Sequence, residues 1–154
     1  MSRRVEAEEA LSNAIARYQA AVDDFDRETA RVLGVNETDL RCLEILIREE
    51  SEATPRMLAD RLGLTTGSVT TMLDRLEKLD YVTRTAHPGD RRKVIVTATD
   101  SARRRAYALI DPLIADGTRL LRDYTVDQLQ LVIQFLTRTA DLQDRHIERL
   151  RADG

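Results

Sequence analysis

The sequence predicts a mainly α-helical fold with one small β element, and three observations lead to this prediction. Apolar residues recur every three or four positions through most of the chain, which is the period of an amphipathic helix. Near the middle, two short runs rich in β-branched residues flank a Pro-Gly-Asp turn, which is typical of two paired strands. The chain has 154 residues, 42% of them hydrophobic, which suffices for one domain with a buried core, with or without a dimerisation appendage.

The first two predicted helices differ in how far the apolar residues extend around them. Residues 5–33 form one long helix that ends at Gly34, and its apolar positions draw a narrow stripe. A narrow stripe favours packing partly on a partner chain over packing only within the same domain. The next helix begins after Asn36 as N-cap, with Asp39 near the positive end of the helix dipole. It is apolar most of the way round, which predicts a buried core helix.

Two short helices follow, and their residues fit a helix-turn-helix. Thr54-Pro55 is a cap followed by proline at the first helical position, Gly63 stops this helix, and Thr65 starts the next. Two helices that cross steeply need a small residue at the crossing, a glycine at the turn and an aliphatic anchor beyond it. Ala59, Gly63 and Val69 meet these needs, and together they make the pattern fairly specific.

The second short helix, Thr65–Leu79, has a chemistry suited to the major groove of DNA. One side carries the apolar residues that are expected to face the core, namely Val69, Met72, Leu73, Leu76 and Leu79. Small hydroxyl residues on the other side allow close approach and can bond phosphates or base edges. The alternative is that they are only helix caps and solvent-facing residues, but the preceding turn outweighs it. The predicted DNA contacts on this helix are Thr65, Thr66, Gly67, Ser68, Thr70, Thr71 and Arg75.

The β element is predicted to be a hairpin with a long basic tip. Residues 81–85 and 94–97 are the strands, and residues 86–93 connect them. The tip is expected to reach DNA, because a narrow minor groove attracts arginine. The alternative, a solvated run of charge, is the more common role of such a segment. The predicted DNA contacts on the tip are His87, Arg91, Arg92 and Lys93, and Asp90 is expected to orient Arg92 by a local salt bridge.

The chain is predicted to end in two further helices. Thr99-Asp100-Ser101 opens the first, which runs to about Tyr124 and contains Pro112, a residue that predicts a kink or a break. Residues 125–128 have the capping-box pattern and begin the last helix.

The net charge of −3 is unevenly distributed along the chain. Residues 55–105 carry eleven Lys and Arg against six Asp and Glu, whereas the segments on either side are acidic. A basic middle between acidic flanks suits a polyanionic partner that binds at one place.

At this point the order of elements resembles the MarR family of winged helix-turn-helix transcriptional regulators. The most specific matches are Leu73-Asp74-Arg75-Leu76-Glu77, Tyr81-Val82-Thr83-Arg84 and Asp90-Arg91-Arg92. In the family, the matching Asp-x-Arg holds the arginine that enters the minor groove, so the resemblance implies these roles for Asp90 and Arg92. Asp80 stands where the family usually has a helix-ending glycine, and Asp tolerates the left-handed conformation needed there.

The resemblance implies a winged helix-turn-helix with a two- or three-stranded wing and dimerisation helices at both ends. Residues 1–35 and 100–154 are the expected helical dimerisation region, and residues 36–99 the DNA-binding domain. It further implies a homodimer on a palindromic double-stranded operator, with half-sites about one helical turn (~10 bp) apart. Many members are repressors released by a small aromatic or phenolic ligand, for which Tyr18 and Cys42 are the candidate pocket residues here.

Other classes of function fit less well. Cys42, the one cysteine, is a candidate redox sensor, but its apolar neighbours favour an inert buried thiol. A winged-helix module that binds protein instead of DNA is a further alternative. The sequence has no phosphate loop, nucleophile elbow or paired-His motif, and no cluster at metal-ligand spacing, so we expect neither an enzyme nor a bound cofactor or metal. One cysteine and the lack of an apolar signal segment favour the cytoplasm.

Overall fold

Local capping signals set the helix boundaries in the computed structural model, which describes residues 2–48 and 52–153. Helix α1 is Arg3–Leu33, and Gly34 ends it in the left-handed conformation. Helix α2 is Glu37–Arg48, and the Asn36 side chain accepts a hydrogen bond from the backbone N–H of Asp39 (2.8 Å). The N-cap and the glycine stop that the sequence predicts here are therefore confirmed.

The helix-turn-helix consists of α3, Pro55–Leu62, and α4, Thr66–Lys78. The hydroxyl of Thr54 caps α3 by accepting from the N–H of Met57, and Gly63 follows the helix with φ +64°. The hydroxyl of Thr65 caps α4 in the same way. As predicted, the turn uses a small buried residue, a left-handed glycine and a fully buried aliphatic anchor, which are Ala59, Gly63 and Val69.

The wing is a two-stranded antiparallel sheet of β1, Val82–His87, and β2, Asp90–Ala98. A single bridge pairs Ala53 with Val96, so one residue before α3 adds a short third edge. The long tip predicted from the sequence is wrong, because the strands extend to a turn of Pro88 and Gly89. The ladder pairs Ala86 with Val94 and His87 with Asp90, which leaves the basic residues in an irregular, outward stretch of β2. Those residues are Arg91, Arg92 and Lys93.

The chain ends in α5, Asp100–Leu121, and α6, Val126–Asp153. Helix α5 continues through Pro112, so of the predicted kink or break the break does not occur, and the kink stays a prediction. The capping box before α6 is confirmed, because Thr125 and Gln128 exchange hydrogen bonds between side chain and backbone in both directions (2.8 and 3.2 Å). Among the described residues, no helix is both long and apolar enough to cross a membrane.

The chain divides into two compact units, Met1–Leu109 and Ile110–Gly154. The core of the first unit is built on α2 and α4, as their apolar patterns predict, and includes the fully buried Tyr81. In the second unit, α6 has no buried residue at all, although many of its side chains are large and apolar. The predicted division, which joins residues 1–35 to residues 100–154, stays a prediction.

Candidate DNA-binding site

The exposed side of α4 is the first part of the site. Val69, Met72, Leu73 and Leu76 are buried, which fixes the orientation of the helix and leaves its hydroxyl residues exposed. Leu79, which was expected on the buried side, is exposed because α4 has already ended there and Asp80 turns the chain at φ +57°. The left-handed conformation expected at Asp80 is confirmed.

Several hydroxyls on α4 already donate to the protein. Thr70 donates to the carbonyl of Thr66 (3.0 Å), and Thr71 donates to the carbonyl of Gly67 (3.1 Å). Thr65 donates to the Ser68 hydroxyl (2.9 Å) while it accepts from the Ser68 backbone. Since these hydroxyl hydrogens are used, the threonine oxygens are left to act mainly as acceptors toward a ligand. Together with Gly67, next to which there is open space, they form a surface of small side chains that a groove can approach closely.

Arg75 has a partner that the sequence reasoning missed. Its Nε and Nη2 donate to the two carboxylate oxygens of Asp39, at 3.2 and 2.7 Å. The Asp39 side chain is 3% exposed and lies in the first turn of α2, whereas the Arg75 side chain is 46% exposed. The hydrogen bond to Asp39 is the main reason that the pKa of Arg75 is raised. Asp39 is the one charged residue among the buried residues of α2, but the arginine 36 positions later could not be chosen from spacing.

A second ion-pair cluster joins α4 to the wing. Nη2 of Arg84 in β1 contacts Asp74 Oδ1 (2.6 Å) and Glu77 Oε2 (2.5 Å), both on α4. Hydrogen bonds to these two carboxylates raise the pKa of Arg84, and Arg84 in turn lowers the pKa of Glu77. The cluster compensates the charge of two acidic groups on α4, and it ties the wing to α4.

The wing residues differ in how they are held. Asp90 Oδ1 accepts from the backbone N–H of Arg92 (3.0 Å), so it shapes the chain at Arg92; the expected side-chain salt bridge is not among the contacts of the described residues. His87 was expected near phosphate, but its ring has structural contacts. Nδ1 accepts from the backbone N–H groups of Gly89 and Asp90, and Nε2 lies 2.9 Å from Glu52 Oε2. Arg91, Arg92 and Lys93 are exposed.

The two residues suggested for a ligand pocket are not brought together. Cys42 is fully buried in the core, and burial raises the pKa of its thiol to about 12. Tyr18 is 67% exposed on α1. A thiol without exposed surface and with a raised pKa matches the inert cysteine that the sequence favours.

The fold and this surface define a winged helix-turn-helix DNA-binding protein, and comparisons with known proteins identify the family. A MarR-family sequence model matches residues 33–93. The uncharacterized HTH-type transcriptional regulator YcgE of Bacillus subtilis is 37% identical over 127 residues, which cover 82% of this chain and 82% of YcgE. The chain belongs to the MarR family: it is a DNA-binding transcriptional regulator and not an enzyme.

Solved structures show the same fold at low sequence identity. The transcriptional regulator Tm0710 from Thermotoga maritima has a TM-score of 0.62 at 20% identity, with 91% of this chain and 98% of that one covered. A mutant of MepR from S. aureus, bound to an oligodeoxyribonucleotide, has a TM-score of 0.61 at 16% identity, with 86% and 97% covered. The mainly α-helical winged fold predicted from the sequence is therefore confirmed.

Proposed function

We propose that this regulator acts as a homodimer that places α4 of each protomer in the major groove of a palindromic operator. The observation that carries the proposal is the division of α4 into a fully buried apolar side and an exposed side of glycine and hydroxyl residues. The buried side fixes the helix against the core, so the exposed side is presented as a rigid surface. Rigid presentation suits the reading of base edges.

The proposed contacts divide by chemistry. Residues of the first turns of α4, from Thr65 to Thr71, approach the groove floor and its walls, and Arg75 reaches out from the third turn. Arg91, Arg92 and Lys93 project from the irregular stretch of β2 toward phosphates and the minor groove, where arginine is attracted. Asp90 keeps the role of a support, acting through the backbone of Arg92. His87 supports the turn of the wing in this proposal instead of contacting phosphate.

The homodimer is supported by the apolar surface at both ends of the chain. Helix α6 exposes apolar side chains along its length and buries none, and much of the apolar stripe of α1 is also exposed. Such extended apolar faces are unfavourable in water and are typical of an obligate interface. A dimer would set the spacing of the two recognition helices, and with it the spacing of the half-sites.

Three further parts of the proposal are expectations from the family resemblance. They are repression, release by a small aromatic or phenolic ligand, and a cytoplasmic location. Burial and a raised pKa argue against the alternative in which Cys42 senses oxidants. A thermal-shift screen with phenols and aromatic acids tests the effector, and a reporter gene placed behind the selected operator tests repression.

Selection of bound fragments from random duplex DNA, with the solution mass measured alongside, tests the central proposal. We expect a two-fold-symmetric consensus and the mass of a dimer. The Arg92→Ala variant should keep the dimer and weaken operator binding by about 1–3 kcal/mol per half-site. The matched control is Arg104→Ala, which removes the same charge from an exposed position on α5. A monomeric mass, or a failure to enrich any sequence, would favour the protein-binding alternative.

A further inference from the structure

Arg75 is held along only one edge of its guanidinium group. Nε and Nη2 form the edge that faces Asp39, and this carboxylate uses both oxygens to hold it. The remaining N–H groups, two on Nη1 and one on Nη2, have no partner within residues 2–48 and 52–153. Because the guanidinium is planar and rigid, fixing one edge also fixes the direction of the parallel Nη1 and Nη2 donors at its end.

This free end lies on the reading side of α4. Arg75 follows Thr71 by one turn and Gly67 by two, so all three share one face of the helix. It lies about 12 Å along the helix axis from Gly67, which takes it to a different base pair from the N-terminal hydroxyl residues. The Nη1–Nη2 pair has the spacing of guanine O6 and N7, its most common partner in the major groove.

We propose that Asp39 is a positioning residue that holds Arg75 so that its free end reads one guanine in each half-site. The inference rests on the proposed insertion of α4 into the major groove. A guanine fits better than a phosphate because Asp39 already compensates the charge of Arg75, while the two donors remain available for neutral acceptors. Asp39 itself is buried, so it does not present a bare negative charge to the DNA.

The test compares base preferences of the full-length protein and three variants, at one salt concentration. A bidentate arginine–guanine contact discriminates against the wrong base by roughly 5- to 150-fold. We expect Asp39→Asn to reduce this discrimination about threefold at one symmetric pair of guanines, and to leave the base preferences at the other positions unchanged. Arg75→Lys should lose most of it because lysine has no planar fork, and the double variant should lose no more than Arg75→Lys alone.

Asp60→Asn is the matched control, since Asp60 is exposed on α3 and its change raises the net charge by the same amount. It should strengthen binding to all sequences equally and leave the base preferences intact. Thermal unfolding and solution mass check the fold of every variant. If Asp39→Asn does not fold, the base preferences of Arg75→Lys test whether Arg75 reads the guanine, because a half-exposed arginine can be replaced without opening the core.

Two results would overturn the inference. In the first, Asp39→Asn or Arg75→Lys retains the guanine preference of the unmodified protein. In the second, each variant changes the affinity for all sequences by the same factor, which indicates a phosphate contact or a purely structural role. A failure of the unmodified protein to select any symmetric sequence is a different result, because it overturns the proposed function itself.

Discussion

Replacing Tyr81 with phenylalanine removes one buried hydrogen bond and almost nothing else. The Tyr81 hydroxyl donates to the carbonyl oxygen of Leu33 at 2.7 Å, and Tyr81 is 1% exposed. Leu33 is the last residue of α1, where carbonyl groups lack intrahelical partners, so this hydroxyl satisfies an otherwise orphaned acceptor. The phenylalanine ring retains the apolar packing and the contact of Arg105 over the ring face (5.5 Å in Tyr81).

The expected loss follows from that arrangement. A neutral buried hydrogen bond stabilises by about 1 kcal/mol, and an unsatisfied buried carbonyl adds to the cost of losing it, so we expect about 1–2 kcal/mol in the free energy of unfolding. Urea denaturation at fixed protein concentration measures it, because the stability of a dimer depends on concentration. The slope of the unfolding free energy against urea should not change.

Tyr107→Phe is the control, since Tyr107 is 46% exposed on α5 and its change should stay within about 0.5 kcal/mol. A Tyr81→Phe loss no larger than that of the control would refute the reasoning. It would mean that water, and not Tyr81, satisfies the Leu33 carbonyl in solution.

Three further predictions concern other residues of the first compact unit. Arg84→Met should destabilise the protein at neutral pH. Because Arg84 lowers the pKa of Glu77, the stability difference should narrow as the pH falls through that lowered pKa, as measured by denaturation at several pH values. Gly63→Ala should cost about 1–2 kcal/mol of stability, because a Cβ there meets open space and only the backbone at φ +64° is strained. The Cys42 thiol, with its pKa raised to about 12, should resist a thiol reagent near neutral pH until the protein is unfolded.

Each of these predictions has its own control variant or control measurement. Arg104→Met, at an exposed position on α5, shows the effect of the same substitution without the carboxylates, and an equal loss there would contradict the role of Arg84. Gly67→Ala also meets open space but lies within α4 at an ordinary φ, so it should not destabilise the fold. Labelling of native Cys42 as fast as that of the unfolded chain would show that the core opens readily.

Features that depend on residues close together in the chain could be predicted from the sequence. The cap at Thr54, the glycine stops and the capping box at Thr125 are all as predicted, because each depends on side chains within three or four positions. The sequence predicts too long a wing tip. The length of a strand depends on its pairing with the other strand, and the charged and turn-forming residues of the tip do not indicate that pairing. The Asp39–Arg75 pair was missed for a similar reason: the fold, and not the spacing, brings the two residues together.

The wing begins and ends at one point, which Thr99 fixes. Its backbone N–H donates to the carbonyl of Tyr81 (3.0 Å), its hydroxyl donates to the carbonyl of Asp80 (2.7 Å), and the same hydroxyl accepts from the N–H of Ala102 (3.0 Å). Thr99 thus joins the end of α4, the first residues of β1, the last residues of β2 and the start of α5. A wing anchored in this way can be lengthened or shortened at its distal turn without altering the distance between α4 and α5. If the wing contacts DNA as proposed, insertion or deletion at its distal turn would change how far the protein reaches along DNA while the core stays the same.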